Sequence, residues 1–82
     1  MSGKYLRELR RAAGLRQGEV AKQAKLGAPA LCDMERGNRE VSDDEAREIV
    51  RAIETLRAKH SRQFDRTAAK VREMLQREEA VA

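Results

Sequence analysis

At 82 residues the chain has room for one domain, near the size at which a single core is only just sufficient. One Pro, one Tyr, one Phe and no Trp, with charged residues at helical spacings and no strand-forming run, predict an all-α fold. A single Cys excludes an internal disulfide framework and fits a reducing cytoplasm, and no apolar run nears the roughly 20 residues that span a bilayer. No signal peptide is visible, so a cytoplasmic location without membrane partners is expected. The net charge is +4. Residues 1–41 hold nine Lys/Arg against five Asp/Glu, and residues 42–82 hold nine against nine, so the excess lies in the first half. A basic face there fits phosphate contact; a merely solvated basic surface is the alternative.

The first helix is expected to begin near Ser2, whose hydroxyl can cap it. Leu6, Leu9, Ala12 and Ala13 recur at helical spacing, and Gly14 suits a left-handed helix end. The second helix is expected from about Gln17 to Ala24, with Val20, Ala21 and Ala24 inward. Arg16 makes a poor cap for it, and Gly18 inside it costs about 0.5–1 kcal/mol relative to Ala. Lys25-Leu26-Gly27 forms the turn, with Leu26 plugging the gap between helices. The third helix starts near Ala28, and Pro29 suits its first turn, where the missing N–H has no helical partner anyway. Leu31 and Met34 face inward, Gly37 ends the helix, and Val41 returns to the core after a loop.

Ser42-Asp43-Asp44-Glu45 is a capping box with acids in the first turn. The helix it opens carries a full apolar stripe of Ala46, Ile49, Val50, Ile53 and Leu56, and is expected to run to about Lys59. The polar stretch 57–63 contains neither Gly nor Pro, so a break and a continuous helix both remain open there. Ser61 can cap a new helix. Phe64, Ala68, Val71 and Leu75, with Met74 beside them, form a second stripe with 4-3-4 spacing. It reads either as extra core, as a dimer seam, or as a surface for another protein. The expected division is a core over residues 1–59 and a C-terminal, dimerising helix over 60–82.

Residues 17–37 carry the plan of a helix-turn-helix, which presents one helix to the DNA major groove. From about Leu6 to Ile53 the chain resembles the lambda-repressor-like (Cro-type, Xre-type) helix-turn-helix regulators. The resemblance rests on Gln17 opening the second helix, Ala21 at the tight crossing, Leu26 after the turn, Leu31 and Met34 in the third helix, and Glu35-Arg36-Gly37 at its end. It implies a compact five-helix DNA-binding domain, here with an extended C-terminal helix. It also implies a dimer on double-stranded DNA, with half-sites about one helical turn apart.

Transferred residue by residue, the resemblance assigns base-facing positions to Gly27, Ala28, Pro29, Ala30 and Asp33. Phosphate contacts fall to Gln17, Lys25, Arg36, Asn38 and Arg39. Arg10 and Glu35 occupy positions often paired across the first and third helices, either to fix geometry or to offer Arg10 to a phosphate. Ala28, Pro29 and Ala30 offer only apolar contact, for instance to a thymine methyl, while Asp33 can accept from a cytosine amino group but repels phosphate. Lys25 stands where the family has a turn glycine.

Lys4, Arg7, Arg11 and Lys22 read as a solvated face, with Arg11 and Lys22 able to flank the DNA backbone. Cys32 is either a redox switch or a half-buried thiol. His60 has no visible ligand partners, and the capping box accounts for the Asp43, Asp44 and Glu45 cluster. No nucleophile–base pair, phosphate-cradling loop or metal-ligand spacing is present, so neither an enzyme nor a cofactor is expected. The leading expectation is a small dimeric DNA-binding regulator, most simply a repressor of bacterial, phage or mobile-element origin. The alternative is a protein-interaction module, an antitoxin or adaptor that binds a protein partner.

Overall fold

A computed structural model of the chain describes the backbone of residues 2–81 and the side chains of residues 2–78. Helix α1 spans Gly3–Ala12, α2 Gln17–Gln23, α3 Ala28–Arg36 and α4 Asp43–Val81. The five-helix expectation is thus corrected to four helices, with no strand among the described residues. The physical reason lies in residues 57–63, where no Gly, Pro or left-handed residue interrupts the backbone, so Ser61 stays inside α4 rather than capping a new helix. At 39 residues α4 is about 58 Å long, which accounts for the 60 Å long axis of the molecule.

The first three helices all stop by the same device. In the Schellman motif a left-handed residue follows the helix, and two backbone N–H groups fold back onto its last carbonyls. After α1, Gly14 (φ 71°) donates to the Arg11 carbonyl and Leu15 to the Arg10 carbonyl. After α2, Lys25 (φ 59°) donates to Lys22 and Leu26 to Ala21. After α3, Gly37 (φ 80°) donates to Met34 and Asn38 to Asp33. Lys25 holds this conformation with a side chain, at a cost of about 1–2 kcal/mol. Burial of Leu26 against the core and the Leu26–Ala21 hydrogen bond of 2.8 Å offset that cost.

The helix starts differ from one another. The Ser2 hydroxyl accepts from the Lys4 N–H at 3.3 Å, and Ser42 and Glu45 form both arms of the capping box at 3.1 Å each. At α2 the Arg16 side chain caps nothing, but Glu19 reaches back to accept from the Arg16 N–H at 2.8 Å. That return arm secures the start of a seven-residue helix that Gly18 weakens.

The core is one cluster. Leu6, Leu31, Met34, Ile49, Ile53 and Val20 are its largest fully buried side chains, each contributing about 1.5–3 kcal/mol of burial. Ala21, Val41, Ala46, Ala52 and Leu56 complete it, together with Leu15, which the periodicity does not mark because it sits in the α1–α2 connection. Helix α1 packs on α3 and α4, and α2 packs on α3 and α4. The buried face of α1 is Gly3, Leu6 and Arg10, whereas Tyr5 and Leu9 stand 62% and 41% exposed.

Gly3 is the tightest point. A β-carbon built on it falls 1.7 Å from the Met34 carbonyl oxygen, so α1 touches the backbone of α3 without an intervening side chain. Gly3→Ala is expected to destabilise the protein by about 1–3 kcal/mol or more, although Ala is the better helix former. Thermal unfolding checks this: an unchanged or raised Tm would mean that the two helices do not meet so closely.

Candidate nucleic-acid interface

The base-facing positions inherited from the resemblance lie at the amino-terminal end and along one side of α3. Gly27 is its extended cap (φ −72°, ψ 142°), and Ala28, Pro29 and Asp33 are exposed while Ala30 is half-buried. Leu31, Met34 and Glu35 occupy the opposite side and are buried. The helix therefore divides: one face fixes it to the domain, and the other presents small apolar groups, one carboxylate and, in its last turn, Arg36 to solvent.

What fixes α3 is a hydrogen-bonded ion pair. Arg10 from α1 donates through Nε to Glu35 Oε2 and through Nη2 to Glu35 Oε1, both at 2.8 Å. Its Nη1 donates to the Leu15 carbonyl at 2.8 Å, and Gln17 Nε2 donates to Glu35 Oε1 at 3.0 Å. The paired side chains are 10% and 2% exposed. Burial by itself pushes the Glu35 carboxyl up. The hydrogen bonds from Arg10 and Gln17 and the charges of Arg10 and Arg7 outweigh it, leaving Glu35 below the ordinary carboxylate range. The Arg10 guanidinium is raised by its hydrogen bond to Glu35, against the cost of burial. One network thus ties α1, the α1–α2 connection, the first residue of α2 and α3 together.

Around this network lies an open cleft of about 400 Å³. Arg7 and Arg11 of α1, Arg36 of α3 and the Gln17 amide line it, with Cys32 in its wall. Arg10 and Glu35 form its floor and neutralise each other, so Arg7, Arg11 and Arg36 set its charge. Arg7 and Arg11, read as part of a solvated face with Arg11 able to flank the DNA backbone, are exposed and meet at this cleft. Their spacing, four residues apart, puts Arg7 and Arg11 on one face of α1, and the packing of α1 on α3 turns that face toward Arg36. Gln17 commits one amide hydrogen to Glu35, and its Nε2 carries a second.

The remaining phosphate candidates are spread over the rim. Lys25, Arg36, Asn38 and Arg39 are exposed. Arg39 donates to Glu45 at 2.8 Å with its side chain 46% exposed, a pair weak enough to be exchanged for a phosphate. Glu45 itself lies below the ordinary carboxylate range, first because it accepts from the Ser42 N–H, with the Ser42 hydroxyl and Arg39 adding to this. Cys32 is a free, half-buried thiol. His60 Nε2 sits 3.6 Å from Glu19 Oε2, where α4 passes α2.

Phe64, Val71, Met74 and Leu75 are 72%, 50%, 57% and 52% exposed, and Ala68 is half-buried. They lie on α4 beyond Leu56, the last core residue, so they are not extra core. No helix among the described residues is long and apolar enough to cross a membrane.

Comparison with curated proteins and with solved structures finds no match. A family model described as a helix-turn-helix domain matches residues 3–63, which takes in α1, α2, α3 and the core-facing part of α4. The match includes the exposed side of α3 and the arginine cleft, and ends before the exposed apolar stripe. The chain belongs to the helix-turn-helix domain family.

Proposed function

We propose that the protein is a small dimeric, sequence-specific DNA-binding regulator of transcription. In this reading it is a repressor of the lambda-repressor-like, Cro- or Xre-type branch, acting in the cytoplasm of a bacterium or encoded by a phage or mobile element. The observation that carries the reading is the arginine cleft beside the solvent-facing side of α3. Arg7 and Arg11 on α1 and Arg36 on α3 line the cleft between the two helices that the Arg10–Glu35 pair joins, and Gln17, bonded to Glu35, adds a free amide hydrogen at one edge of the helix that would enter the groove. Phosphate contacts position such a helix, and base contacts specify the site. Here the first set is rich and the second is sparse. Affinity would therefore rest on phosphates and DNA shape, with apolar contact from Ala28, Pro29 and Ala30 and an acceptor at Asp33. Neither catalysis nor a cofactor enters this reading.

A second reading is favoured by one observation: the outward side of α3 carries no side-chain hydrogen-bond donor among Ala28, Pro29, Ala30 and Asp33. It makes the domain a protein-interaction module, an antitoxin or adaptor with a protein partner. Selection from a pool of random DNA duplexes, repeated at two salt concentrations, separates the two. Enrichment of a two-fold-symmetric site is the expected result. Salt-sensitive binding without enrichment would leave a non-specific DNA binder, and no binding at low salt would favour the interaction module.

A further inference from the structure

Beyond the core, α4 runs from Arg57 to Val81, about 37 Å of helix. Every residue of 57–78 is exposed except Ala68. A solvated helix of this length is ordinarily polar all round, yet this one carries Phe64, Val71, Met74 and Leu75 in a single stripe. The charges beside the stripe indicate what covers it. With Ala68 and Leu75 as heptad a and Phe64 and Val71 as heptad d, Asp65 and Arg72 fall at successive e positions, and Thr67 and Met74 at g.

The two ways of pairing a second copy differ sharply. In a parallel pair each layer faces its own copy, so Ala68 meets the partner's Ala68 and leaves a gap. Residues at g then meet residues at e, which sets Thr67 against the partner's Arg72 and His60 against the partner's Asp65, so Arg72 meets no acid and Asp65 meets only an imidazole that already faces Glu19 at 3.6 Å in its own chain. In an antiparallel pair a faces d and e faces e. Phe64 then lies opposite the partner's Leu75 and Ala68 opposite the partner's Val71, giving even layers. Asp65 lies beside the partner's Arg72, and symmetry makes that ion pair twice. Charges flanking a seam set orientation, and here they select one.

We propose that the stripe from Phe64 to Leu75 joins two copies of this chain as an antiparallel helical pair, locked by reciprocal Asp65–Arg72 ion pairs. This rests on the dimer reading above and adds its surface and orientation. The two DNA-binding cores then sit at opposite ends of the pair, with their Leu56 positions about 40 Å apart along the axis.

The test is disulfide capture in a Cys32→Ser background, with sedimentation equilibrium of the unmodified protein alongside. Phe64→Cys and Leu75→Cys chains are oxidised separately and mixed, and the products are told apart by mass. Antiparallel pairing puts residue 64 of one chain opposite residue 75 of the other, and the two copies of residue 64 about 16 Å apart, beyond disulfide reach. The expected result is a crosslink in the mixture and none in either variant alone. Same-variant crosslinks would overturn the orientation while leaving the dimer. A dimer with neither crosslink would overturn the seam. A monomer by sedimentation would overturn the dimer reading itself. Asp65→Arg is expected to raise the dimer Kd about tenfold, and adding Arg72→Asp to restore it. Failure of the second change to rescue the first would overturn the ion pairs.

Discussion

Glu35→Ala is expected to lower the unfolding free energy by about 3–5 kcal/mol, a large share of the roughly 5–15 kcal/mol that holds a small domain together. The substitution removes both acceptors of a buried guanidinium and strands the Gln17 amide. Arg10 then keeps only the Leu15 carbonyl, with a side chain 10% exposed and a charge that burial penalises. Urea denaturation followed by far-UV circular dichroism measures the loss. Removing both charges together, as Arg10→Met with Glu35→Leu, is expected to recover most of it, because no buried ion remains unpaired. Recovery should stop short of complete, since the Leu15 carbonyl and the Gln17 amide lose a partner. A loss under about 1 kcal/mol for Glu35→Ala would show that Arg10 escapes to solvent when Glu35 is absent.

The same network fixes the acid limb of stability. Glu35 binds protons more weakly folded than unfolded, since its carboxyl lies below the ordinary range. Its contribution is therefore complete above the unfolded value of about 4.3 and is lost as pH falls through the lower folded value. Glu45 acts in the same direction from the surface. Stability of the parent should fall on acidification below about pH 5, and Glu35→Gln should flatten that fall while lowering the plateau at neutral pH.

What the sequence discloses about this fold is local, and what it hides depends on distant contacts. Gly14, Gly37 and the Ser42–Glu45 box carry their roles in their own chemistry, so helix ends are readable at those positions. The stripe from Ala46 to Leu56 is equally plain, because its spacing repeats over three turns. Leu15 is invisible to periodicity, standing alone between Gly14 and Arg16. Gly3 reads as an ordinary helix-start residue until the Met34 carbonyl, 31 positions away, is placed against it. Arg10 occupies a buried position on α1 where a pattern of apolar residues would look for a hydrophobe, while Leu9 beside it is exposed. Polarity at residues 57–63 suggests an interruption, but polarity alone does not stop a helix that lacks Gly, Pro or a left-handed turn. The cleft is partly legible, since Arg36 and Gln17 stand out by position, whereas Arg7 and Arg11 gain a direction only when α1 is laid on α3.

Neutralising that cleft should have the largest effect on DNA binding. Arg7, Arg11 and Arg36 are exposed and lie on the faces of α1 and α3 that make no core contact, so alanine there should leave folding almost unchanged. If each arginine meets one phosphate, each alanine removes one released counterion, and the salt dependence of log K should fall by about 0.9 per residue. The triple variant is then expected to lose about 2.7 from that slope and to bind at least a hundredfold more weakly at low salt. The loss should be nearly uniform across sequences, because phosphates carry no base information. Asp33→Ala provides the contrast. It removes a carboxylate from the solvent-facing side of α3, so it should strengthen non-specific binding while relaxing any preference for cytosine at the position it faces. Fluorescence anisotropy with one selected duplex and one scrambled duplex, over a salt series, reads all of these quantities. A triple variant with the parent's slope would remove the cleft from the interface and leave the Lys25, Asn38 and Arg39 rim as the phosphate-contacting surface.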